Sequence, residues 1–228
     1  MRTHPEVFGN RAAAERVLWK MGMDGRADCT HDRRFRALVL LATFASLRWG
    51  EVSALRRSDL DLDAGTVRVR AAYVERSTGE LVLGPPKSKA GRRVVGIPQG
   101  IVPALREHLD TYVQADPGAL IFPGAKGGPL RRSGFNTRTR WVEVVREMGL
   151  PGLHLHDLRH TGNMLAAESG AGLKDLMARM GHDNVRAAMI YQHAVRGADR
   201  TITDAIDRQI TRRDDDEDGP TGALVPAG

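Results

Sequence analysis

The sequence predicts an α+β fold that is mainly helical and carries a small three-stranded antiparallel sheet. Apolar residues recur at three- and four-residue steps along most of the chain, which is the spacing of amphipathic helices. Between residues 65 and 98 this period gives way to alternation, which is typical of half-buried strands. The chain has 228 residues and no internal repeat, so we expect one sizeable domain with appendages.

The elements can be assigned in order along the chain. The first helix is predicted over residues 32–48, with Asp32 as its N-cap. A short second helix is predicted from Glu51 to Arg56. Strands are predicted at 66–70, 81–83 and 94–97, with turn signals at 77–79 and 89–91. The remaining helices are predicted at 100–115, 133–148, 157–169, 173–180, 184–191 and 198–212.

The two ends of the chain differ from its body. Residues 1–30 show no sustained pattern and are interpreted as an N-terminal segment or a linker remnant, and residues 31–197 as the main domain. Residues 198–213 are predicted to form a C-terminal helix. Residues 214–228 combine an acidic run with Gly, Pro and Ala, a composition that predicts a disordered tail.

The charge of the chain is strongly uneven. The formal net charge is +6, and residues 214–218 carry −5, which leaves +11 on the rest. Arginine greatly outnumbers lysine, and arginine pairs with phosphate through two parallel hydrogen bonds. This balance favours a polyanionic partner such as nucleic acid over a merely soluble basic protein.

Other bulk properties favour a cytoplasmic protein. The single cysteine, Cys29, excludes an internal disulfide framework. The first residues lack the apolar core of a signal peptide. The longest apolar run, at 37–47, is too short to cross a bilayer, so no membrane is expected as a partner.

Several polar residues could carry chemistry, although each also has a plain structural explanation. Arg48 continues the apolar stripe of the first helix and so needs a partner, which Glu51 could supply. His156 and Arg159 share one helix face, where both can donate to a phosphate. Tyr191, taken alone, would be a half-buried packing residue.

Histidines raise a second possibility at the same place. His154, His156, Asp157 and His160 crowd together, and they could hold a metal ion instead of a phosphate. Few other ligands accompany them, apart from His182 and His193. We therefore expect no metal and no cofactor.

A proline-flanked loop at 85–93 carries two lysines, Lys87 and Lys89. On the tip of a hairpin either lysine could reach into a DNA groove and protonate a leaving oxygen. Basic residues here and before the helix at 133–148 are further candidates for DNA contact: Lys89, Arg92, Arg93, Arg131 and Arg132.

Taken jointly, the motifs resemble the catalytic domain of the tyrosine recombinases, also called the phage integrase family. The resemblance covers about residues 33–196. It is carried by an arginine box, a lysine loop, a His-x-x-Arg box, a Gly-His pair and a late tyrosine. These stand at 47–55, 86–89, 156–161, 181–182 and Tyr191.

The resemblance implies a role for each matched residue. Tyr191 would attack the scissile phosphate to give a 3′-phosphotyrosyl link and a free 5′-hydroxyl. Arg48 and Arg159 would hold the non-bridging oxygens, and Lys87 would protonate the departing 5′-oxygen. Because the covalent link conserves the energy of the phosphodiester, neither ATP nor metal is needed.

Three further residues complete the implied site. His156 would assist proton transfer at the tyrosine, His182 would bond the phosphate, and Glu51 would orient the others. The implied partners are double-stranded DNA, a homotetramer formed on it and an accessory DNA-bending protein. The helix at 198–213 would dock on a neighbouring protomer.

The sequence departs from the family pattern in several places. Ser46 stands where a glycine is common, and Gly96 stands where a proline is common. Two lysines compete for one role, and Lys87 is preferred because a small hydroxyl residue follows it. Arg48 comes too early for the usual N-terminal core-binding domain to precede it, so we expect that domain to be missing.

Other functions therefore stay open at this point. The chain could be a truncated DNA-binding module from a mobile element, with little or no catalysis. It could also be a metal-dependent phosphohydrolase built on the histidine cluster. A type IB topoisomerase would share the same chemistry, although the motifs here are closer to those of integrases.

Overall fold

The structure is a computed structural model that describes residues 33–194, with only the backbone described for five residues of its last helix. Asp32, the segment 1–30, the predicted helix at 198–213 and the predicted tail at 214–228 lie outside this range. Within it the fold is mainly helical with small antiparallel sheets, as the sequence predicts. No helix in the described range is long and apolar enough to span a membrane.

Helix α1, Arg36–Phe44, follows a 3-10 turn at Arg33–Phe35 and is buried along almost its whole length. It ends earlier than predicted because Ser46 adopts a left-handed backbone with φ of 54°. The chain then turns into α2, Trp49–Ser53, and Arg48 becomes the N-cap of that helix. The prediction that Arg48 continues the stripe of α1 is therefore wrong.

The strands form two separate sheets. In the first, β2 (Thr66–Val69) pairs antiparallel with β1 (Leu60–Asp61) and with β5 (Arg93–Gly96). In the second, β3 (Ala72–Glu75) pairs antiparallel with β4 (Leu81–Gly84). A three-stranded sheet is confirmed, but its third strand is β1, and the segment 81–83 belongs to a hairpin whose first strand, β3, was not predicted.

This pairing changes the context of the lysine loop. Residues 85–92 join β4 of one sheet to β5 of the other, and Lys89 begins a short 3-10 turn, Lys89–Gly91. Lys87 and Lys89 therefore do not lie on a hairpin tip, because the two strands that flank them do not pair with each other.

The helical part follows the sheets. Its helices are α3 (Val102–Tyr112), α4 (Arg132–Thr139), α5 (Trp141–Glu147), α6 (Leu155–Glu168), α7 (Leu173–Met180) and α8 (Val185–Ala194). The helix predicted at 133–148 is divided because Arg140 adopts a left-handed backbone with φ of 47°. The predicted helices that correspond to α3, α6, α7 and α8 are confirmed to within a few residues.

Close packing of α1 against α6 positions much of the site. A Cβ on Gly162 of α6 would lie 1.8 Å from the Thr43 carbonyl oxygen, so only glycine permits this approach. As a result, the turn after α1 lies beside the N-terminal half of α6. Helix α7 ends at Gly181, whose left-handed φ of 62° directs the following residues back across the same region.

Candidate active site

Arg48 is held by Glu51 of α2 and by the residue that ends α7, Gly181. Its Nη1 donates to Oε1 of Glu51 at 2.8 Å, and its backbone N–H donates to Oε2 of the same carboxylate at 2.9 Å. Its Nη2 donates to the Gly181 carbonyl oxygen at 3.0 Å. The side chain keeps a partly exposed edge, so a ligand can reach the guanidinium while its direction is fixed.

Glu51 is shared between two arginines. Arg93 donates from Nη2 to Oε2 of Glu51 at 2.9 Å and from Nη1 to Oε1 at 3.2 Å. Burial alone would raise the pKa of Glu51, but the hydrogen bonds and charge of Arg93 and the bonds from Arg48 hold that pKa below its usual value. The carboxylate is therefore ionised at neutral pH, and this buried charge holds the Arg48 guanidinium in place.

Arg93 is an interior residue rather than a surface one. Its side chain is 6% exposed, and besides Glu51 it donates to the carbonyl oxygens of Arg179 and Gly91, both at 2.9 Å. A Cβ on Gly181 would lie 2.8 Å from its Nη1. This position does not support Arg93 as a DNA contact; it joins β5, α2 and the end of α7.

Arg159 lies deeper in the same place, with 2% of its surface exposed. Its Nη1 donates to the Ser46 carbonyl oxygen, and its Nη2 donates to the Met180 carbonyl oxygen at 2.6 Å. Burial, followed by repulsion from Arg48, lowers its pKa to about 9, so it stays charged at neutral pH. Arg159 and Arg48 thus bond consecutive carbonyls at the end of α7 and converge on one region.

His182 lies against this arginine pair. Its Nε2 is 3.3 Å from Nη2 of Arg159, and because arginine can only donate, Nε2 accepts and the ring proton lies on Nδ1. Burial, then the charges of Arg159 and Arg48, lower the pKa of His182 to about 4. Nδ1 is buried and has no hydrogen-bond partner among the described residues.

Tyr191 is buried on the other side of the site, with 3% of its surface exposed. Its hydroxyl lies 2.5 Å from Nδ1 of His160 on α6. Burial raises the pKa of Tyr191, while the nearby Asn163 amide and the charge of Arg159 act in the opposite direction. The phenol is therefore protonated at neutral pH and lies within the field of the arginines.

His156 and His160 stand one turn apart on α6. Their rings meet edge to face with centroids 4.9 Å apart, and the His160 ring lies 5.8 Å from that of Tyr191. Burial, followed by His160 and Arg159, lowers the pKa of His156 to about 4. His156 is thus neutral, and His160 is the residue in direct contact with the Tyr191 hydroxyl.

The lysine loop is fastened to the end of α7. Ser88 donates from Oγ to the Gly181 carbonyl oxygen at 3.3 Å, and the Ala90 N–H donates to Oδ1 of Asp183 at 3.0 Å. Lys87 precedes Ser88 and has an exposed side chain. The loop therefore carries Lys87 beside the Gly181–His182 turn that Arg48 also contacts.

The other basic candidates lie at the surface. Lys89 and Arg92 are exposed on the lysine loop. Arg131 donates from Nη1 to Oε1 of Glu75 at 2.6 Å, and Arg132 lies over the Trp49 ring, 5.6 Å from its centroid. These four cations are accessible to a polyanion, whereas Arg93 is not.

The described part of the chain contains no group of three or more His, Cys, Asp or Glu side chains arranged to hold a metal ion. The backbone N–H of His154 donates to Oδ2 of Asp157 at 2.7 Å, and this hydrogen bond caps the start of α6. The ring of His160 contacts the hydroxyl of Tyr191 instead. The clustering of these residues in the sequence thus reflects a helix start and a ring cluster.

Reasoning from the sequence named Arg93 and His160 but did not predict the contacts that the structure gives them. In the structure Arg93 faces inward with Val95, two residues later on the same strand, but Val94 between them is equally apolar and exposed, so the sequence did not indicate which face is buried. His160 follows Arg159 and is four residues from His156, which predicts a shared face with His156. Its contact with Tyr191 spans 31 residues of chain, and no local pattern indicates it.

The arrangement combines an anion site with a nucleophile. Two guanidiniums and a neutral imidazole line one region, and the buried phenol of Tyr191 stands nearby. Burial raises the pKa of this phenol, and the charges of Arg159 and Arg48 oppose that rise. Such a set can bind a phosphodiester, stabilise negative charge that develops on it and offer an oxygen nucleophile.

Comparison with known proteins shows the family of the chain. The sequence profile of the phage integrase family matches residues 23–196, and the chain belongs to that family. It is 41% identical over 169 residues to a prophage phiRv2 integrase of Mycobacterium tuberculosis, covering 74% of this chain and 44% of that protein. It is 34% identical over 171 residues to the integrase of Mycobacterium phage D29, covering 74% and 45% respectively.

Solved structures share the fold. The Tn1549 transposon integrase in complex with circular-intermediate DNA superposes with a TM-score of 0.68 at 19% identity, covering 90% of this chain and 67% of that one. XerA recombinase superposes with a TM-score of 0.60 at 21% identity, covering 84% and 60%. The chain spans less than half the length of the two integrases matched by sequence.

Proposed function

We propose that this chain is the catalytic part of a site-specific DNA recombinase or integrase, which cleaves and rejoins DNA through a 3′-phosphotyrosyl intermediate. The observation that carries the proposal is the convergence of Arg48 and Arg159 on consecutive carbonyls beside His182, with Tyr191 facing the same cluster. The names of the matched relatives, integrases of phages and of a prophage, agree with it.

Each residue has a role that its position supports. Tyr191 attacks phosphorus, and Arg48 and Arg159 bind the non-bridging oxygens and offset the charge that develops there. Glu51 and Arg93 position Arg48 without touching DNA. Because the two guanidiniums already carry the positive charge that phosphoryl transfer requires, the reaction proceeds without a metal ion.

Three further residues complete the proposed mechanism. Lys87 protonates the departing 5′-oxygen; the anchoring of Ser88 to Gly181 supports it over Lys89. His182 rests on Arg159 and bonds the phosphate once one is bound. His156 packs against His160 and assists at the tyrosine.

Double-stranded DNA is the proposed substrate and partner. The exposed cations Lys89, Arg92, Arg131 and Arg132 offer a surface for its backbone, and their number predicts a steep loss of affinity with salt. The Tn1549 integrase, which shares the fold, is described in complex with DNA. Assembly of a tetramer on DNA, with an accessory DNA-bending protein, is part of the same proposal.

A covalent-trap assay tests the proposal. Wild type and Tyr191→Phe are incubated, with chelator present, with nicked duplexes that carry candidate attachment sequences from DNA flanking the source gene. We expect a protein–DNA adduct on a denaturing gel for wild type only. Tyr191→Phe should lower adduct formation by at least about 1000-fold, because the nucleophile is lost, while DNA affinity is unchanged.

The other outcomes are equally informative. Adduct formation by Tyr191→Phe would show that the nucleophile is misassigned. DNA cleavage that leaves no adduct, and that occurs only when chelator is omitted and a divalent metal is added, would indicate a metal-dependent hydrolase. DNA binding without any adduct, at every flanking sequence tried and also with a core-binding domain supplied, would favour a DNA-binding module from a mobile element. Efficient relaxation of supercoiled plasmid without a defined site would favour a topoisomerase.

A further inference from the structure

The residue in contact with the attacking oxygen of Tyr191 is His160. The phenol oxygen lies 2.5 Å from Nδ1 of His160, and the two rings are 5.8 Å apart with an interplanar angle of 31°. His156, the histidine of the His-x-x-Arg box, meets His160 edge to face on the far side. A chain of contacts thus runs from His156 through His160 to the nucleophile.

The direction of this hydrogen bond follows from the protonation states. Burial raises the pKa of Tyr191, and burial lowers the pKa of His160, so both groups are neutral at neutral pH. The phenol therefore donates to Nδ1, and the ring proton of His160 lies on Nε2. This is the arrangement that a proton acceptor needs before the tyrosine attacks.

We infer that His160 is a catalytic residue that takes the phenol proton of Tyr191 during attack on the phosphodiester. The inference rests on the proposed function. As the bond from the Tyr191 oxygen to phosphorus forms, the phenol proton moves to Nδ1 of His160. The bond from phosphorus to the 5′-oxygen breaks, and that oxygen takes a proton from Lys87. Rejoining reverses both transfers, so no net proton is gained or lost.

The surroundings of His160 suit a charge that is present only briefly. Asp157, three residues earlier on α6, favours the protonated ring, whereas Arg159 on the same helix opposes it, as burial does. As His160 gains a positive charge, the electron pair that proton loss leaves on the Tyr191 oxygen, on α8, enters the new bond to phosphorus, so no phenolate persists beside the ring. The imidazolium is therefore tolerable during attack and disfavoured in the resting protein, so the proton returns when the link is resolved.

The test compares His160→Asn with wild type in single-turnover cleavage of nicked duplexes at saturating protein. Asparagine places an acceptor near the position of Nδ1, so it keeps a hydrogen bond but cannot accept the proton. We expect cleavage to slow by about 100-fold or more, with DNA affinity and the thermal midpoint close to wild type. His154→Asn, which removes an exposed histidine from the start of the same helix, is the matched control and should cleave normally.

Phenol acidity separates proton transfer from mere positioning. Fluorinated tyrosines with progressively lower pKa are placed at position 191 in wild type and in His160→Asn. If His160 takes the proton, the defect of His160→Asn should shrink as the phenol becomes more acidic. A substrate with sulfur at the 5′-bridging position should rescue Lys87→Ala, because a thiolate leaves without a proton, but should not rescue His160→Asn.

The outcomes distinguish failure of the proposed function from failure of the inference about His160. No adduct with wild type would count against the proposed function, and the inference would fall with it. A wild-type adduct together with a wild-type rate for His160→Asn would overturn the inference alone. A slow His160→Asn whose defect is the same for every fluorotyrosine would also overturn it, because that result assigns His160 to positioning only.

Discussion

The two sides of the site are held together in opposite ways. On the arginine side, Arg48, Arg93 and Arg159 are fixed by a buried carboxylate and by main-chain carbonyls. On the tyrosine side, Tyr191 is fixed by burial, by ring packing and by the neutral groups around its hydroxyl, His160 and the Asn163 amide. The first side contains charges whose partners are internal, and the second contains groups whose charges appear only during reaction.

On the proposed function, this difference indicates which part of the site would change on DNA binding. Breaking the ion pairs of the arginine side would leave buried charges without partners, which is costly. Releasing Tyr191 exposes an aromatic ring and gives up one hydrogen bond worth about 1 kcal/mol. We therefore expect the arginine side to keep its geometry on DNA and the tyrosine side to supply whatever movement the reaction needs.

Among the variants that test this contrast, the largest effect is expected from Arg159, which belongs to the arginine side and whose charge also acts on Tyr191. Arg159→Ala should lower the cleavage rate by about 100- to 1000-fold, because it removes a donor that is aimed at the developing charge. Affinity for DNA should fall much less, since the residue is nearly buried in the free protein. The measurement is single-turnover cleavage at saturating protein, beside a binding titration.

Arg131→Ala is the matched control, because it removes an arginine that is exposed and distant from Tyr191 in the chain. It should weaken binding and reduce the slope of log affinity against log salt by about one unit, with cleavage of bound DNA unchanged. Equal losses of binding and cleavage in Arg159→Ala would make that residue an anchoring contact.

A smaller effect is expected when the internal partner of the arginine side is neutralised. Glu51→Gln keeps the shape of the side chain but leaves Arg93 and Arg48 without their carboxylate. We expect the free energy of unfolding to fall by about 3 kcal/mol, the cost of breaking a buried ion pair. Denaturant unfolding monitored by circular dichroism measures it.

The control is Glu80→Gln, which neutralises a carboxylate paired with Arg76 at the surface. Exposed pairs contribute about 0–1 kcal/mol, so this variant should unfold nearly as wild type does. If Glu51→Gln and Glu80→Gln were equally stable, the arginine side would not depend on its buried pair, and the contrast with the tyrosine side would disappear.

A further effect is a pH dependence of stability that distinguishes the two histidines from Glu51. The pKa of His156 and that of His182 are lowered to about 4 in the folded protein, from an ordinary value near 6.5. Between these values the unfolded chain binds more protons than the folded one. The contribution of the two histidines to the free energy of unfolding is therefore fully present above pH about 6.5 and is lost as the pH falls towards 4. The pKa of Glu51 is also lowered, so its contribution is lost only at more acidic pH.

Thermal midpoints measured between pH 4 and 8 check this expectation. The double variant His156→Asn, His182→Asn should show a flatter decline below pH 6.5 than wild type does. An identical decline in the two proteins would mean that these histidines titrate in the folded state as they do in the unfolded chain.

Local patterns predicted most of the helices but not the interruptions between them. The apolar periods correspond to α3, α6, α7 and α8 because those helices bury one continuous face. Nothing local predicted the left-handed backbones of Ser46 and Arg140, because neither residue is glycine. These two positions end helices, and the first of them moved Arg48 to a different element from the predicted one.

Strand pairing and the inner contacts depended on tertiary structure. The segment 81–83 was recognised as a strand, but its partner β3 alternates too weakly to be found, so the pairing was misassigned. The sequence shows Ser46 only as a replacement for a glycine that is common at this position. Its φ of 54° explains why glycine is common there, because this backbone conformation favours glycine. The roles of Arg93 and His160 depend on contacts across 42 and 31 residues.

The partners of the arginines have a consequence for mutagenesis. Ser46, Met180 and Gly181 accept from Arg159 and Arg48 through main-chain oxygens, which every amino acid possesses. An alanine scan would therefore pass over Ser46 and Met180 with these contacts intact. Substituting an ester for the peptide bond after Met180 or Gly181 would weaken the acceptor itself, and backbone chemistry of this kind is how the anchoring of the arginines becomes visible.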